Sequence, residues 1–266
     1  MKKNTIIKSL LLSSALLFTG TALPVQDTLH LHHNVAKAEE ADQETYRYSG
    51  RQVIKNSLEY PYNTVAKVQA PYQGGTGFVV GENKVLTNRH VVEAFLKTPA
   101  GISTAKVILA QNEGNTGDKN LGEYKIKGYK FAPNDIDVAI LEVEPNKKGE
   151  HIGKVVTPGR LVNESQITSE WIKKKPSTLF HTAGYPGDRD KRYMWYSDGG
   201  LLDIRGLEVD GAFKAYPGAS GSPIFDQDNN IIGIVRAYAP KNKDASGLLF
   251  RGELLDFLKE NSIDVK

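Results

Sequence analysis

The segment Pro217-Gly218-Ala219-Ser220-Gly221-Ser222-Pro223 carries the strongest chemical character in this chain. Gly218 lets the backbone turn tightly and aim N–H groups inward. A serine hydroxyl two residues later is placed to attack a carbonyl, with the N–H groups of Gly218 and Ser220 as the natural donors to a developing oxyanion. The same heptad also reads as a Gly/Ser/Pro turn between strands, and this segment alone does not separate the two. Acyl transfer by serine further needs a base and a carboxylate that holds the base in one tautomer. Setting aside His30, His32 and His33 near the start, three histidines remain: His90, His151 and His181. His90 follows the apolar run Val85-Leu86-Thr87 and opens into a short helical pattern, a rigid platform for a base. His151 sits among polar loop residues, and His181 lies mid-strand, where a histidine is more often part of a core. The carboxylate candidate is Asp137. It leads directly into Val138-Ala139-Ile140-Leu141, a costly position for an acid without a bonding partner. Asp135, two residues earlier, is the weaker candidate.

These residues need a scaffold, and from Thr64 onward the pattern is β. Short apolar or alternating runs are expected as strands at 64–69, 77–80, 84–87, 105–110, 122–131 and 138–143, with Gly81-Glu82-Asn83 as a hairpin signal. A loop-like stretch from Pro145 to Pro176 follows. Strands resume at 179–184, 193–197, 201–205, 212–215, 222–225, 231–238 and 247–250. The chain closes with an amphipathic helix over 253–261, where Leu254, Phe257 and Leu258 share a face. Residues 39–60 read as a helical extension, because Tyr46, Val53, Ile54 and Leu58 fall roughly on one helical face. The expected organisation is therefore all-β in two halves: 1–38 a secretion signal, 39–59 an N-terminal extension, 60–150 a first β-barrel, and 151–266 a second β-barrel with the C-terminal helix.

Composition narrows the function classes. The chain has no cysteine, which removes disulfide, thiol-nucleophile and Cys-zinc chemistry. Lys2, Lys3 and Lys8 precede an apolar run from Ser9 to Thr19, too short to span a bilayer but suited to a signal-peptide core, with cleavage expected after Ala38. The chain is thus expected to be secreted and extracellular. Its net charge is +3. Residues 1–38 hold four lysines and one aspartate, so their removal leaves thirty basic and thirty acidic residues. A neutral body gives no support to nucleic-acid or membrane-surface binding. His30-Leu31-His32-His33 resembles a metal motif but precedes the cleavage point and lacks a fixed partner, so no metal is expected there.

Thr87-Asn88-Arg89-His90-Val91-Val92, Asp137-Val138-Ala139-Ile140, Gly184-Tyr185-Pro186-Gly187 and Gly218-Ala219-Ser220-Gly221-Ser222-Pro223 together resemble the staphylococcal glutamyl endopeptidases, serine-protease-like proteins and exfoliative toxins, which are chymotrypsin-like serine peptidases. The resemblance runs from about Tyr60 to the C-terminus. It implies two six-stranded antiparallel β-barrels, a cleft triad with no cofactor, and a secreted monomer whose partner is a protein or peptide substrate, including a host extracellular protein. It also implies catalysis by His90 as general base, Asp137 as its orienting carboxylate and Ser220 as nucleophile, with Gly218 and Ser220 forming the oxyanion hole.

Two departures from the family pattern stand out. Ala219 replaces the usual Asn before the nucleophile. In the strand after it, Val235 replaces the His that glutamate-cleaving relatives use at the specificity pocket (S1), and Ala215 replaces a small polar residue there. By the fold analogy Lys214 lies at the base of S1. It either pairs with an acidic residue before the scissile bond (P1), with Arg236 adding to the field, or reaches out to solvent. Tyr216 and Tyr238 would line or restrict the pocket. The resemblance also carries a rival. With Pro217 before Gly218, as in exfoliative toxins, a flipped peptide would close the oxyanion hole and leave a protein that acts on or binds one specific host protein.

Overall fold

A computed structural model describes residues 51–175, 178–238 and 244–266. The expected signal segment and residues 39–50 lie outside the described residues. Six strands close the first barrel: β2 (Val65–Gln69), β3 (Gly74–Gly81), β4 (Lys84–Thr87), β5 (Lys106–Leu109), β6 (Gly122–Phe131) and β7 (Ala139–Val143), in the order β2-β3-β4-β7-β6-β5. Helix α1 (Arg89–Leu96) leaves the end of β4. Two kinds of strand build this barrel. On β6, buried Tyr124 and Ile126 alternate with exposed Glu123, Lys125 and Lys127, because its outer face meets water. On β3, β4 and β7 both faces are covered. Val79, Val85 and Leu141 fill the barrel, while Phe78, Leu86 and Ile140 point into a second core shared with the other half of the chain. That two-sided burial is why these strands read as continuous apolar runs.

The second half adds α2 (Ile152–Val155), α3 (Ser169–Lys174), β8 (Phe180–Gly184), β9 (Trp195–Gly199), β10 (Leu201–Arg205), β11 (Glu208–Lys214), β12 (Pro223–Phe225), β13 (Ile231–Tyr238), β14 (Asp244–Leu249) and α4 (Gly252–Glu260). The two short helices interrupt the stretch expected to be loop, and Thr168 caps α3 by accepting from the Trp171 N–H. The strands form one sheet in the order β1-β9-β8-β12-β13-β14-β11-β10, where β1 is Arg51–Val53. Only Gly200 separates β9 from β10. The first pairs with β8 and the second with β11, so this bent strand brings the sheet back on itself as six strands with β1 added outside. A Cβ on Gly199 would lie 2.6 Å from the Ala212 backbone, which is why glycine stands at the bend. Leu254, Phe257 and Leu258 of α4 pack into the shared core, as the helical spacing predicts.

Two expectations change. Residues 51–53 are a strand and not part of a helix: Arg51, Gln52 and Val53 pair with Ser197, Tyr196 and Trp195. The edge of β9 offers backbone partners that an isolated extension lacks, and Ile54 is buried beside it. The boundary expected after residue 150 falls later, because Ile152 and Val156 belong to the core of the first barrel.

Candidate active site

The β4–β7 register sets the first two residues. Thr87 lies opposite Ala139, so the chain leaving β4 into α1 passes the turn that enters β7. That puts His90 Nδ1 2.7 Å from Asp137 Oδ2, with the His90 N–H donating to Asp137 Oδ1 at 3.0 Å. A carboxylate only accepts, so Nδ1 carries a proton, and in the neutral ring the lone pair is left to Nε2 at the opposite edge. Asn88 Nδ2 braces the turn by donating to the Asp137 carbonyl at 2.7 Å. Asp135 is taken elsewhere: it lies almost wholly in solvent and pairs with Arg89.

Ser220 lies in the loop between β11 and β12, and it lines a cleft with His90, Asp137 and Arg236. Its hydroxyl donates to the Arg236 carbonyl at 3.2 Å. The loop is clamped to the first barrel by Thr76, a residue the sequence reading did not single out. The Thr76 N–H donates to the Ser220 carbonyl at 2.8 Å, and Thr76 Oγ1 donates to the Gly218 carbonyl at 2.9 Å and accepts from the Tyr185 N–H at 3.1 Å. The signal was present in Gly74-Gly75-Thr76-Gly77, since glycines inside a strand mark a close backbone approach. A Cβ on Gly75 would lie 3.1 Å from the Ser220 carbonyl oxygen. Gly221, at φ +90, would drive a Cβ to 1.9 Å from the Thr76 carbonyl oxygen.

Gly218 has φ +101. The Pro217 carbonyl before it accepts from the Gly187 N–H at 2.6 Å. In a planar trans peptide the N–H points opposite to the carbonyl, so the Gly218 N–H faces away from Gly187.

A family model described as a trypsin-like peptidase domain matches residues 75–234. The chain belongs to the trypsin-like peptidases. A glutamyl endopeptidase of Staphylococcus epidermidis is 34% identical over 221 residues, covering 82% of this chain and 74% of that one. A glutamyl endopeptidase of Staphylococcus aureus strain MRSA252 is 30% identical over 224 residues, 81% of this chain and 58% of that one. The peptidase is a serine endopeptidase, as the sequence resemblance implied. A solved Glu endopeptidase superposes with a TM-score of 0.64 at 21% identity, covering 80% of this chain and 96% of that one, which establishes the shared chymotrypsin-like architecture.

The residues expected at S1 separate in the structure. Tyr216 lines a cleft with Ser220, and Arg236 lines the one shared with His90. Ala215 and Val235 are buried in the core of the second barrel. Lys214 stands opposite Asp244 on β14, and its ammonium pairs with that carboxylate. Arg236 pairs with Glu208 at 2.7 Å. Lys214 and Asp244 are directly opposed on neighbouring strands, where opposite charges attract, and Arg236 reaches Glu208 across β14, so the peptidase answers both cations with its own acids. The two cations therefore do not stand as open charge awaiting a substrate carboxylate. His181 is buried, stacked on Phe225 with centroids 4.9 Å apart, and burial pushes its pKa down to about 4. It is a core histidine, apart from the cleft. His151 stands at the N-cap position of α2 without a side-chain capping bond, away from the cleft residues.

Proposed function

We propose that the peptidase cleaves peptide bonds through an acyl-enzyme formed on Ser220, with His90 as base and Asp137 as its orienting carboxylate. The observation that carries this reading is the pair of bonds that His90 donates to Asp137, which orients the ring with Nε2 free to accept in the cleft that His90 shares with Ser220. Ser220 Oγ turns from the Arg236 carbonyl to His90 and attacks the substrate carbonyl carbon as its proton passes to Nε2. The new C–O⁻ is received by the N–H groups of Gly218 and Ser220. His90 then returns the proton to the leaving amine as the C–N bond breaks, and a water repeats the sequence on the acyl-enzyme. Each oxyanion donor is worth about 10²–10³ in kcat in enzymes of this chemistry. The bond from Gly187 to the Pro217 carbonyl supports a hole open at rest and speaks against the exfoliative-toxin-like closed state.

Glutamate is the first P1 residue to test, because the relatives bear the name glutamyl endopeptidase. Lys214 would engage it by exchanging Asp244 for the substrate carboxylate, a contest that makes for narrow specificity. Residues 1–38 would direct the chain to secretion.

A fluorophosphonate probe tests the central reading. Labelling mapped to Ser220, and lost in Ser220→Ala, is expected. A folded protein that does not label would refute it. A peptide-library digest with Asp244→Asn tests P1: acidic selection should sharpen, and an unchanged P1 profile would remove Lys214 from the pocket.

A further inference from the structure

Resting on that peptidase reading, we infer that a basic cleft beside the oxyanion hole selects an acidic side chain among the first three substrate residues after the scissile bond, through Lys67 and Lys191. A substrate lies across Ser220, and by the fold analogy the side chain before the cut lies toward Arg236 and β13. The leaving half must run the other way. There a cleft of about 490 Å³ holds His90, Gln73, Gly74, Lys191, Gly218 and Ser220, within the range of pockets that hold small ligands. It continues along β2, where Lys67, Tyr72 and Lys191 meet Gly218 again.

Strand register places Lys67. It pairs directly with Thr76, and opposed residues of an antiparallel pair point to one face. Lys67 therefore leaves β2 on the face where Thr76 bonds the Gly218 carbonyl. Lys191 comes from the opposite wall, its Nζ 3.6 Å from where a Cβ on Gly187 would sit. Gly187 is the residue that holds the Pro217 carbonyl.

The two nearby acids are already committed. Asp188 is bound by both terminal guanidinium nitrogens of Arg51, and Asp190 by Arg192 through Nε and a terminal nitrogen. Among the described residues neither Lys67 nor Lys191 has an ion-pair partner. Both carboxylates are thus bonded by arginines, which leaves the two lysines without a directly bonded acid. Burial and then the charge of Lys191 outweigh the attraction of Asp190 and hold the Lys67 pKa below its ordinary value. Tyr72, 95% exposed at the rim, offers an aromatic face to the substrate beside the charge.

A digest of a proteome-derived peptide library reads both sides of every cleaved bond at once. Matched synthetic peptides with Asp, Glu, Ala or Lys at each of the three positions then give kcat/KM, run beside probe labelling of Ser220. At one of these positions an acid should be preferred over Ala by about tenfold, as for a partly desolvated ion pair, with the preference shrinking in high salt. Lys67→Glu with Lys191→Glu should turn it into a preference for Lys. Equal use of acid and Ala, or cleavage of none of the set while Ser220 still labels, overturns the inference and leaves the peptidase reading standing. Absence of both labelling and cleavage in a folded protein removes that reading and the inference with it.

Discussion

Thr76→Val asks whether the Ser220 loop is held by the first barrel or merely lies against it. The substitution keeps shape and volume in a fully buried position but deletes the hydroxyl that joins the Gly218 carbonyl to the Tyr185 N–H. Two hydrogen bonds are lost, and the Tyr185 N–H is stranded in a buried residue. At about 1 kcal/mol per bond and about 1–3 kcal/mol for the stranded donor, the cost is about 3–5 kcal/mol. Within a total stability of about 5–15 kcal/mol the protein should still fold at 25 °C, with Tm lower by about 6–20 °C. The bond from the Thr76 N–H to Ser220 survives, so the serine stays while the Gly218 peptide loosens. A displacement of about 1 Å at a transition-state contact costs about 10²-fold. Steady-state kinetics on a cleaved peptide should therefore show kcat reduced about ten- to hundredfold with KM little changed. Thr76→Ser should recover most of it. A folded Thr76→Val with lowered Tm and wild-type kcat would show that the clamp contributes to stability and not to positioning.

Other perturbations probe neighbouring links. Asp137→Asn should leave the fold intact but lower kcat by about 10⁴, since the amide can donate to Nδ1 and favour the wrong tautomer; a loss below tenfold in stopped-flow acylation would contradict the assigned role. Between about pH 6.5 and 4 the unfolded chain takes up a proton at His181 that the folded core refuses. Stability therefore falls as pH drops through that window, by about 3 kcal/mol at its lower end. His181→Phe keeps the stack on Phe225 and should flatten that part of the acid dependence in urea titrations; an unchanged slope would mean the histidine is protonated in the fold. Gly221→Ala combines a left-handed φ with a collision at the Thr76 carbonyl. It should cost about 3–5 kcal/mol in thermal unfolding, and a cost under 1 kcal/mol would mean the loop has room to shift.

The sequence made much of this visible where local pattern and tertiary demand coincide. Phe78, Leu86 and Ile140 lie in unbroken apolar runs because both faces of their strands are covered, and the heptad around Ser220 shows its glycines openly. It failed where the deciding partner is remote. Val53 and Ile54 fit a helical face equally well until the edge of β9 supplies backbone partners. Lys214 looks like an open charge until Asp244, thirty residues on, stands opposite it. Thr76 carries no composition signal of its own; only the glycines around it hint that another chain segment comes close.

The short strand β1 acts mechanically as well as architecturally. Arg51 grips Asp188 through two bonds, and its guanidinium lies 5.6 Å from the centre of the Tyr216 ring. One contact is a single residue from Gly187, the other a single residue from Pro217, and those two are themselves bonded. The strap at the start of the described chain is therefore cleated to both sides of the peptide that aims the Gly218 N–H. A change in how β1 seats would reach both ends of the Gly187–Pro217 bond, and with it the orientation of the Gly218 peptide, through the Arg51 side chain.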